Sequence, residues 1–338
     1  MTRRTTIKDV AALAGVSFAT VSRVLDDHPD ISRETKEKVR AACAQLGYVP
    51  NSAARRLAGQ ATHTIGVIVP DISNPYFSDM ATAIEQAAAE RGYRMLLSNS
   101  MRDTKQELQA IDGFLSRQID GILISPLSPD TQSAHKAVLG DLPCVYIGVN
   151  HNGQCSYVAG DNRAGTYRAT RYLVELGHRD LVFLGGQERS LTREQRSAGF
   201  HQALQEAGLT GREYFMEQDP ADSGRQWSYD IALQLFRQER PPDAVVAFSD
   251  IMALRIMEAA EVCGVRIPQD VSLVGYDNIS FSALPRIRLT TVSQKKRRQG
   301  RLAVAALLSQ IQGDFHHAAQ LIQPELIVRS TCVKKQGG

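Results

Sequence analysis

No uninterrupted apolar stretch in the chain approaches the roughly 18 to 20 residues that a bilayer-spanning helix needs. The N-terminal Met1-Thr2-Arg3-Arg4 leads into no apolar signal-peptide core. The expectation is a protein of the cytoplasm without a membrane partner. Disulfide and zinc chemistry are also short of material, because Cys43, Cys144, Cys155, Cys263 and Cys332 are odd in number, scattered, and never in C-x-x-C spacing. Low-complexity tracts and short-period repeats are missing. So are the local signatures of common enzymes: G-x-x-x-x-G-K-[ST], G-x-G-x-x-G after a strand, G-x-S-x-G and H-E-x-x-H. No catalytic residue, metal ligand or cofactor is therefore expected, and His316-His317 reads as an isolated pair in a polar loop.

What is present fits a soluble globular chain. The 338 residues suit two or three domains, and 43% hydrophobic with 22% charged residues excludes disordered and fibrous classes. The net charge is +3, unevenly placed: residues 1–60 hold ten Lys/Arg against six Asp/Glu, a local +4, and the remainder is at −1. A basic bias at one end is compatible with a nucleic-acid partner.

The first 60 residues read as short helices only. Ile7, Val10, Ala11 and Leu13 recur at helical spacing, Gly15 breaks the run, and Phe18 to Leu25 resumes it. Thr6 and Ser17 are placed to cap these two helices, and Ser32 caps a third, Arg33 to Gln45, closed by Gly47. With Val21 and Val24 turned inward, Phe18, Ala19, Ser22 and Arg23 face outward near the start of the second helix. That is the geometry of a helix-turn-helix whose second helix enters the DNA major groove. Arg23 is the best candidate for reading a base, since a guanidinium can donate two hydrogen bonds to guanine O6 and N7.

Beyond Thr64 the pattern changes to short β-branched runs alternating with amphipathic helices. Strands are expected at Ile65–Val69, Arg94–Ser98, Gly121–Ser125, Cys144–Ile147, Leu181–Leu184, Ala244–Phe248 and Val271–Gly275, with a last one at Leu321–Val328 whose Pro324 suits an edge or a crossover. Such alternation implies βαβ units and parallel sheets, and over about 210 residues it implies two similar lobes.

Residues 6 to 57 closely resemble the headpiece of the lactose-repressor/galactose-repressor (LacI/GalR) family of bacterial transcription factors. Gly47-Tyr48-Val49-Pro50-Asn51, with Ala54, Leu57 and Ala58, is similar to that family's hinge helix. Downstream, Asn74-Pro75-Tyr76-Phe77, Leu176-Gly177-His178, Arg196-Ser197-Ala198-Gly199-Phe200, Asp250-Ile251-Met252-Ala253 and Val271-Ser272-Leu273-Val274-Gly275-Tyr276-Asp277-Asn278 match family blocks in order. The resemblance implies an N-terminal all-α helix-turn-helix headpiece plus an α/β periplasmic-binding-protein-like core of two doubly wound parallel-sheet lobes. The headpiece would span 1–50, the hinge helix and linker 51–62, and the effector-binding and dimerisation core 63–338. Three crossovers would divide the core into an N-lobe, about 63–161 and 294–323, and a C-lobe, about 162–293 and 324–333. Open α/β sheets bind ligands beyond the C-terminal ends of their strands, so the physics and the resemblance place the site alike.

Function follows the same resemblance. It implies a sequence-specific, DNA-binding transcriptional regulator, a repressor, acting as a homodimer on a pseudo-palindromic double-stranded operator and controlled by a small-molecule effector. DNA contacts fall on Ser17, Phe18, Ala19, Thr20, Ser22, Arg23, Asn51, Ala54 and Leu57, with Leu57 as the apolar wedge in the minor groove, while Arg55 and Arg56 fit either phosphate neighbours or solvated charges. Effector contacts fall on Asn74, Phe77, Arg196, Asp250, Asp277 and Gln294. Four departures bear on the effector: Gly148 replaces an acidic residue, Ser249 stands where Asn is frequent, and Gly160 and Pro220 replace aromatics that stack on a ligand. Their loss favours a hydroxyl-rich sugar or sugar derivative over a flat base. The segment Arg329 to Gly338 is too short and polar for a leucine-heptad tetramerisation helix.

Overall fold

The structure, a computed structural model, describes residues 5–25, 28–48, 61–127, 131–148, 155–187, 190–217, 224–314 and 318–335. Asn51, Ala54, Arg55, Arg56, Leu57, Pro220, His316 and His317 lie outside them. The chain divides into two compact units, Met1–Thr62 and His63–Gly338.

The first unit holds three helices, α1 (Ile7–Ala14), α2 (Phe18–Leu25) and α3 (Arg33–Gln45). A capping box starts α1: Thr6 Oγ1 accepts from the Asp9 amide at 3.4 Å, and Asp9 Oδ2 accepts from the Thr6 amide at 2.8 Å. Gly15 ends it at φ +68°, where a side chain would be strained. Ser32 Oγ accepts from the Thr35 amide at 3.3 Å and caps α3. None of these helices is long enough to persist alone in water. Their apolar faces meet instead in a small core of Val10, Ala11, Val21, Val24, Val39 and Ala42. Leu13, which shares the apolar spacing of α1, points outward at 46% exposure.

The second unit begins with β1 (Thr64–Val69), α4 (Pro75–Ala89), β2 (Arg94–Asn99), α5 (Thr104–Ser116), β3 (Gly121–Ile124), α6 (Thr131–Leu139), β4 (Cys144–Ile147) and β5 (Tyr157–Gly160). The chain then crosses to a second lobe. There it forms α7 (Asn162–Glu175), β6 (Leu181–Gln187), α8 (Leu191–Glu206), β7 (Arg212–Met216), α9 (Arg225–Phe236), β8 (Ala244–Ala247), α10 (Asp250–Cys263), β9 (Ser272–Tyr276) and β10 (Thr290–Ser293). A second crossing returns α11 (Lys296–Ile311) and β11 (Ala319–Ile322) to the first lobe, and a third sends β12 (Glu325–Ile327) back to the second.

The first sheet has the order β11-β5-β4-β3-β1-β2 and is parallel throughout. The second has the order β12-β10-β9-β8-β6-β7, with only β12 antiparallel to its neighbour. Most of the parallel pairs are joined through helices, which cover both faces of each sheet, and β3 and β8 are accordingly buried along their whole length. The expected single strand at Leu321–Val328 is two short strands in different sheets. Pro324 sits between them, where its missing N–H costs no ladder bond, and its carbonyl accepts from Arg168 Nη1 at 2.8 Å.

The two lobes also touch beside the cleft. Ile279, from beyond β9, joins the first lobe's core, and Ile251 and Leu254 of α10 pack against it. Lys296 Nζ donates to the Asn278 carbonyl at 2.9 Å and pairs with Asp79 on α4 at 2.9 Å. No helix among the described residues is long and apolar enough to cross a membrane.

Within the second lobe α7 and α8 approach closely at Gly199, where an added Cβ would stand 2.2 Å from the Arg163 carbonyl oxygen and 2.9 Å from the Tyr167 amide nitrogen. Backbone cannot yield there as a side chain can. Gly199→Ala is expected to cost at least about 1 to 3 kcal/mol by overpacking. Gly113→Ala, mid-helix in α5 with only Arg117 Nη1 near at 3.4 Å, should stabilise by about 0.5 to 1 kcal/mol. Chemical denaturation of both variants checks this, and equal effects would contradict it.

Candidate functional site

In the headpiece the turn into α2 is closed by a hydrogen bond from the Val16 amide to the Ala11 carbonyl at 3.1 Å. Ser17 Oγ accepts from the Thr20 amide at 3.1 Å, so its hydroxyl caps α2. Val21 and Val24 are buried at 0% and 2%, while Phe18 is 62% exposed and Ser17, Ala19 and Arg23 are exposed beside it. Thr20 and Ser22 are half-buried on the flank of the same face. One side of α2 therefore builds the core and the other presents an aromatic ring, a methyl and a guanidinium to solvent.

The second unit carries a cavity of about 160 Å³ between the C-terminal ends of the two sheets. It is lined by Asn74, Phe77, Arg196, Asp277 and Gln294, five of the six residues expected of an effector site. Asn74 caps α4 through Oδ1, which accepts from the Tyr76 amide at 3.0 Å. Arg196 enters from α8 and is only 4% exposed. Its Nε donates to Asn162 Oδ1 at 3.0 Å, Nη1 donates to the Phe248 carbonyl, and Nη2 stands 3.8 Å from Asp277 Oδ1. Its plane lies over the Tyr276 ring, 3.6 Å from the centroid, and 4.5 Å from that of Phe248. Gln294 Nε2 donates to Asp277 Oδ1 at 2.7 Å, linking the second crossing to the carboxylate.

Asp277 and the following Asn278 have φ of 111° and 49°, a stretch of left-handed backbone that L side chains rarely adopt. The chain turns sharply at the end of β9 and holds the carboxylate toward the cavity. Burial raises the Asp277 pKa, and the Arg196 guanidinium opposes that rise. Burial likewise pushes the Tyr76 phenol upward, so it remains a neutral hydroxyl in the cavity wall.

Asp250 corrects the expectation. It is fully buried at the start of α10 and does not line the cavity. Its carboxylate is turned inward, with Oδ2 accepting from the Ile279 amide at 2.9 Å and Ser282 Oγ at 2.6 Å and Oδ1 accepting from Thr291 Oγ1 at 2.5 Å. It braces α10 to the ends of β9 and β10 rather than meeting a ligand. Gly160 is not among the residues that line the cavity; a Cβ added there would stand 3.0 Å from Oε1 of the lining residue Gln294. The cavity does not lack aromatic surface either, since Tyr76, Phe77 and Phe248 line it. Sequence reasoning passed over Phe248 and Arg102, another lining residue. Both lie just past a strand end, Phe248 after β8 and Arg102 after β2, and that position was the signal that could have found them.

Residues 62–331 match periplasmic binding proteins and the sugar binding domain of the LacI family, and residues 6–51 match bacterial regulatory proteins of the lacI family. The chain belongs to the LacI family. Membership makes this LacI-family protein a DNA-binding transcriptional regulator and not an enzyme. It is 34% identical to the HTH-type transcriptional repressor PurR of Glaesserella parasuis serovar 5, over 96% of this chain and 98% of that one. Among solved structures, the Lac repressor dimer bound to operator and the anti-inducer ONPF is similar at a TM-score of 0.86 and 29% identity, covering 98% of this chain and all of that one. A complex of the transcriptional regulator CelR with cellobiose is similar at a TM-score of 0.70 and 29% identity, covering 97% of this chain and all of that one.

Burial, and next the Asp277 charge, push the Asp250 carboxyl up to about 7 against its three donors. Between about pH 4 and that value the unfolded chain has lost this proton and the folded chain keeps it, so the contribution of Asp250 to stability falls as pH rises. Asp250→Asn cannot ionise. Melting temperatures from pH 4.5 to 8 should show the wild type losing ground to the variant as pH rises; a constant difference would mean that Asp250 is already ionised in the fold at pH 4.5.

Proposed function

We propose that this chain is a repressor that binds a pseudo-palindromic operator as a homodimer, and that a small hydroxyl-rich effector, a sugar or sugar derivative, binds between the core lobes and changes operator affinity. The observation that carries the effector reading is the Arg196–Asp277–Gln294 cluster, with donors and an acceptor held rigidly at the cavity between two lobes joined by three crossings. Directional polar groups of this kind select hydroxyls. The cavity volume of about 160 Å³ is well below the roughly 300 to 1,000 Å³ of drug-sized sites, which suits a ligand of single-ring size. The cellobiose complex of the similar CelR supports a carbohydrate. A planar heterocycle is the rival, favoured by the Phe77 and Phe248 rings in the wall and by the 34% identity to a repressor named PurR.

DNA binding rests on the exposed face of α2. Arg23 reads a base edge, Phe18 and Ala19 make apolar contact with a thymine methyl, and Ser17, Thr20 and Ser22 meet the backbone. Residues 51–62 act as hinge and linker, with Asn51, Ala54 and Leu57 in the minor groove and Leu57 as the wedge. Lobe closure couples to the hinge with a free energy of about 1 to 3 kcal/mol. The homodimer, seen in the similar Lac repressor, would cover apolar side chains now in water: Leu97 and Met101 at the open β2 edge, 41% and 59% exposed, and Phe281 and Leu284 of the second lobe, 46% and 47% exposed. A regulator of this kind works in the cytoplasm, where its operator is.

Operator affinity should fall steeply with salt, log K dropping by roughly 0.9 per phosphate neutralised for each decade of salt. Arg23→Ala should cost about 1 to 3 kcal/mol and relax one operator position in a fluorescence titration. Full affinity with unchanged base preference would remove Arg23 from that role. Leu57→Ala should weaken operator binding yet leave effector affinity within a few-fold, and equal loss of both would make Leu57 a packing residue. In calorimetry Arg196→Ala and Asp277→Ala should each lose at least about tenfold in sugar affinity, since a buried partner left unpaired costs about 1 to 3 kcal/mol. A nucleobase ligand, or unaltered affinity in both variants, would sink the carbohydrate reading.

A further inference from the structure

Arg102 is the charged residue that the first lobe contributes to the cavity wall among the described residues. The second lobe's wall carries Arg196 and Asp277, which already face each other at 3.8 Å. Across the cavity from that pair stands a guanidinium brought there by an unusual backbone. Met101 and Arg102 are consecutive non-glycine residues at φ 50° and 58°, a conformation that costs each of them energy. The turn is fixed by hydrogen bonds from the Arg102 amide to the Pro70 carbonyl at 3.0 Å and from the Asp103 amide to the Ser100 carbonyl at 2.9 Å. Asp71 orients the side chain: its Oδ2 lies 3.9 Å from Arg102 Nε, while its Oδ1 accepts from the Ser73 amide at 3.0 Å and Ser73 Oγ at 2.6 Å. Asp71 itself is outside the cavity lining.

Three helix N-termini add to the same field. The N-cap residues of α4, α8 and α10, Asn74, Ser190 and Ser249, all line the cavity. Each of these helices runs 14 to 16 residues, so each aims the positive end of a full dipole at the ligand. The wall thus combines two guanidinium groups, the helix ends and hydroxyls from Ser125, Ser190 and Thr192 with one lining carboxylate that is held by Arg196 and Gln294; behind it Asp71 stands 3.9 Å from Arg102 and the buried Asp250 sits in the first turn of α10.

We infer that the effector is an anionic polyol, a sugar carrying a phosphate ester or a carboxylate, and that Arg102 selects it over the neutral sugar by receiving that anionic group. This rests on the carbohydrate reading of the cavity and narrows it. The remainder of the molecule fits the assignment: the sugar ring meets Asp277, Arg196 and Asn74, and its anionic arm extends toward the first lobe's Arg102 beyond β2. Binding the anion across the two lobes also favours the closed arrangement, because Arg196 and Asp277 lie on the second lobe's wall while Asn74 and the charge partner Arg102 lie on the first's.

Calorimetry on the intact protein would use glucose, galactose, fructose and ribose, each as the neutral sugar, a monophosphate and the corresponding sugar acid. One anionic member is expected to bind at least about tenfold more tightly than its neutral parent, with the phosphate and acid arms showing which anion is preferred. Arg102→Gln should bring that ratio close to one, and Arg102→Lys should keep part of it; melting curves establish that both variants fold. A neutral sugar that binds as tightly as its anionic derivatives, or a ratio unchanged in Arg102→Gln, overturns the inference while leaving the carbohydrate reading in place. If no member of the panel binds, or a nucleobase binds instead, both fall together.

Discussion

A charge taken out of water must be answered on all sides, and in the core of this protein that constraint falls on Arg196. Buried at 4% exposure, its guanidinium would cost several kcal/mol without partners. Three separate pieces of chain supply four partners: Asn162 at the start of α7, the Phe248 carbonyl after β8, and the Tyr276 ring at the end of β9 with the Asp277 carboxylate just beyond it. The close approach of α7 to α8 at Gly199, one turn from Arg196, allows the reach to Asn162. The second lobe's wall is consequently a rigid surface whose polar atoms are aimed before any ligand arrives, and preorganisation of this sort lowers the cost of binding.

Two aspartates that share a neighbourhood are thereby put to different uses. Asp250 spends its carboxylate on Ile279, Ser282 and Thr291, and so ties the head of α10 to the segment that packs into the first lobe. Asp277 keeps a side toward the cavity while Gln294 and Arg196 hold it. Gln294 belongs to the second crossing, so any turning of the lobes that moves this crossing moves the carboxylate with it. Ligand contact and lobe orientation are mechanically one quantity at this point, which is the arrangement that a binding-driven change of shape requires.

Much of this was legible in the sequence. The three headpiece helices fall at Ile7–Ala14, Phe18–Leu25 and Arg33–Gln45, close to where caps and spacing put them, because the signals there are local: a capping box, a left-handed glycine and an apolar stripe. The central strands were equally plain, since β1, β3, β4 and β8 are short apolar runs buried on both faces. The strands passed over were β5, β7 and β10. Arg212–Met216 is a sheet edge that opens on Arg and Glu, Tyr157–Gly160 ends in Ala and Gly, and Thr290–Ser293 is mostly hydroxyl residues, so none of the three reads as an apolar run. In the cavity, Arg196 and Asp277 could be placed by their surrounding blocks. Asp250 could not be, because whether a helix-start carboxylate faces a cavity or a buried serine depends on Ser282 and Thr291, residues 32 and 41 positions away. Arg102 escaped for a similar reason, its value depending on a turn geometry that composition does not reveal.

The three crossings have a consequence for how the chain is made. The first lobe's sheet is completed by β11 pairing along β5, and its face is covered by α11 against α4. α11 cannot form until synthesis has passed Ile311 and β11 until it has passed Ile322, by which time the entire second lobe up to β10 has already been synthesised. Until then β5 has one open edge and Ile65, Val67, Ile84 and Ala87 lack the cover of Val304 and Leu307. The nascent first lobe must therefore wait, partly bare, for a partner encoded more than 130 residues downstream of its own last N-terminal strand, so it is the second lobe, contiguous but for β12, that is suited to fold first and to serve as the template on which the first is finished.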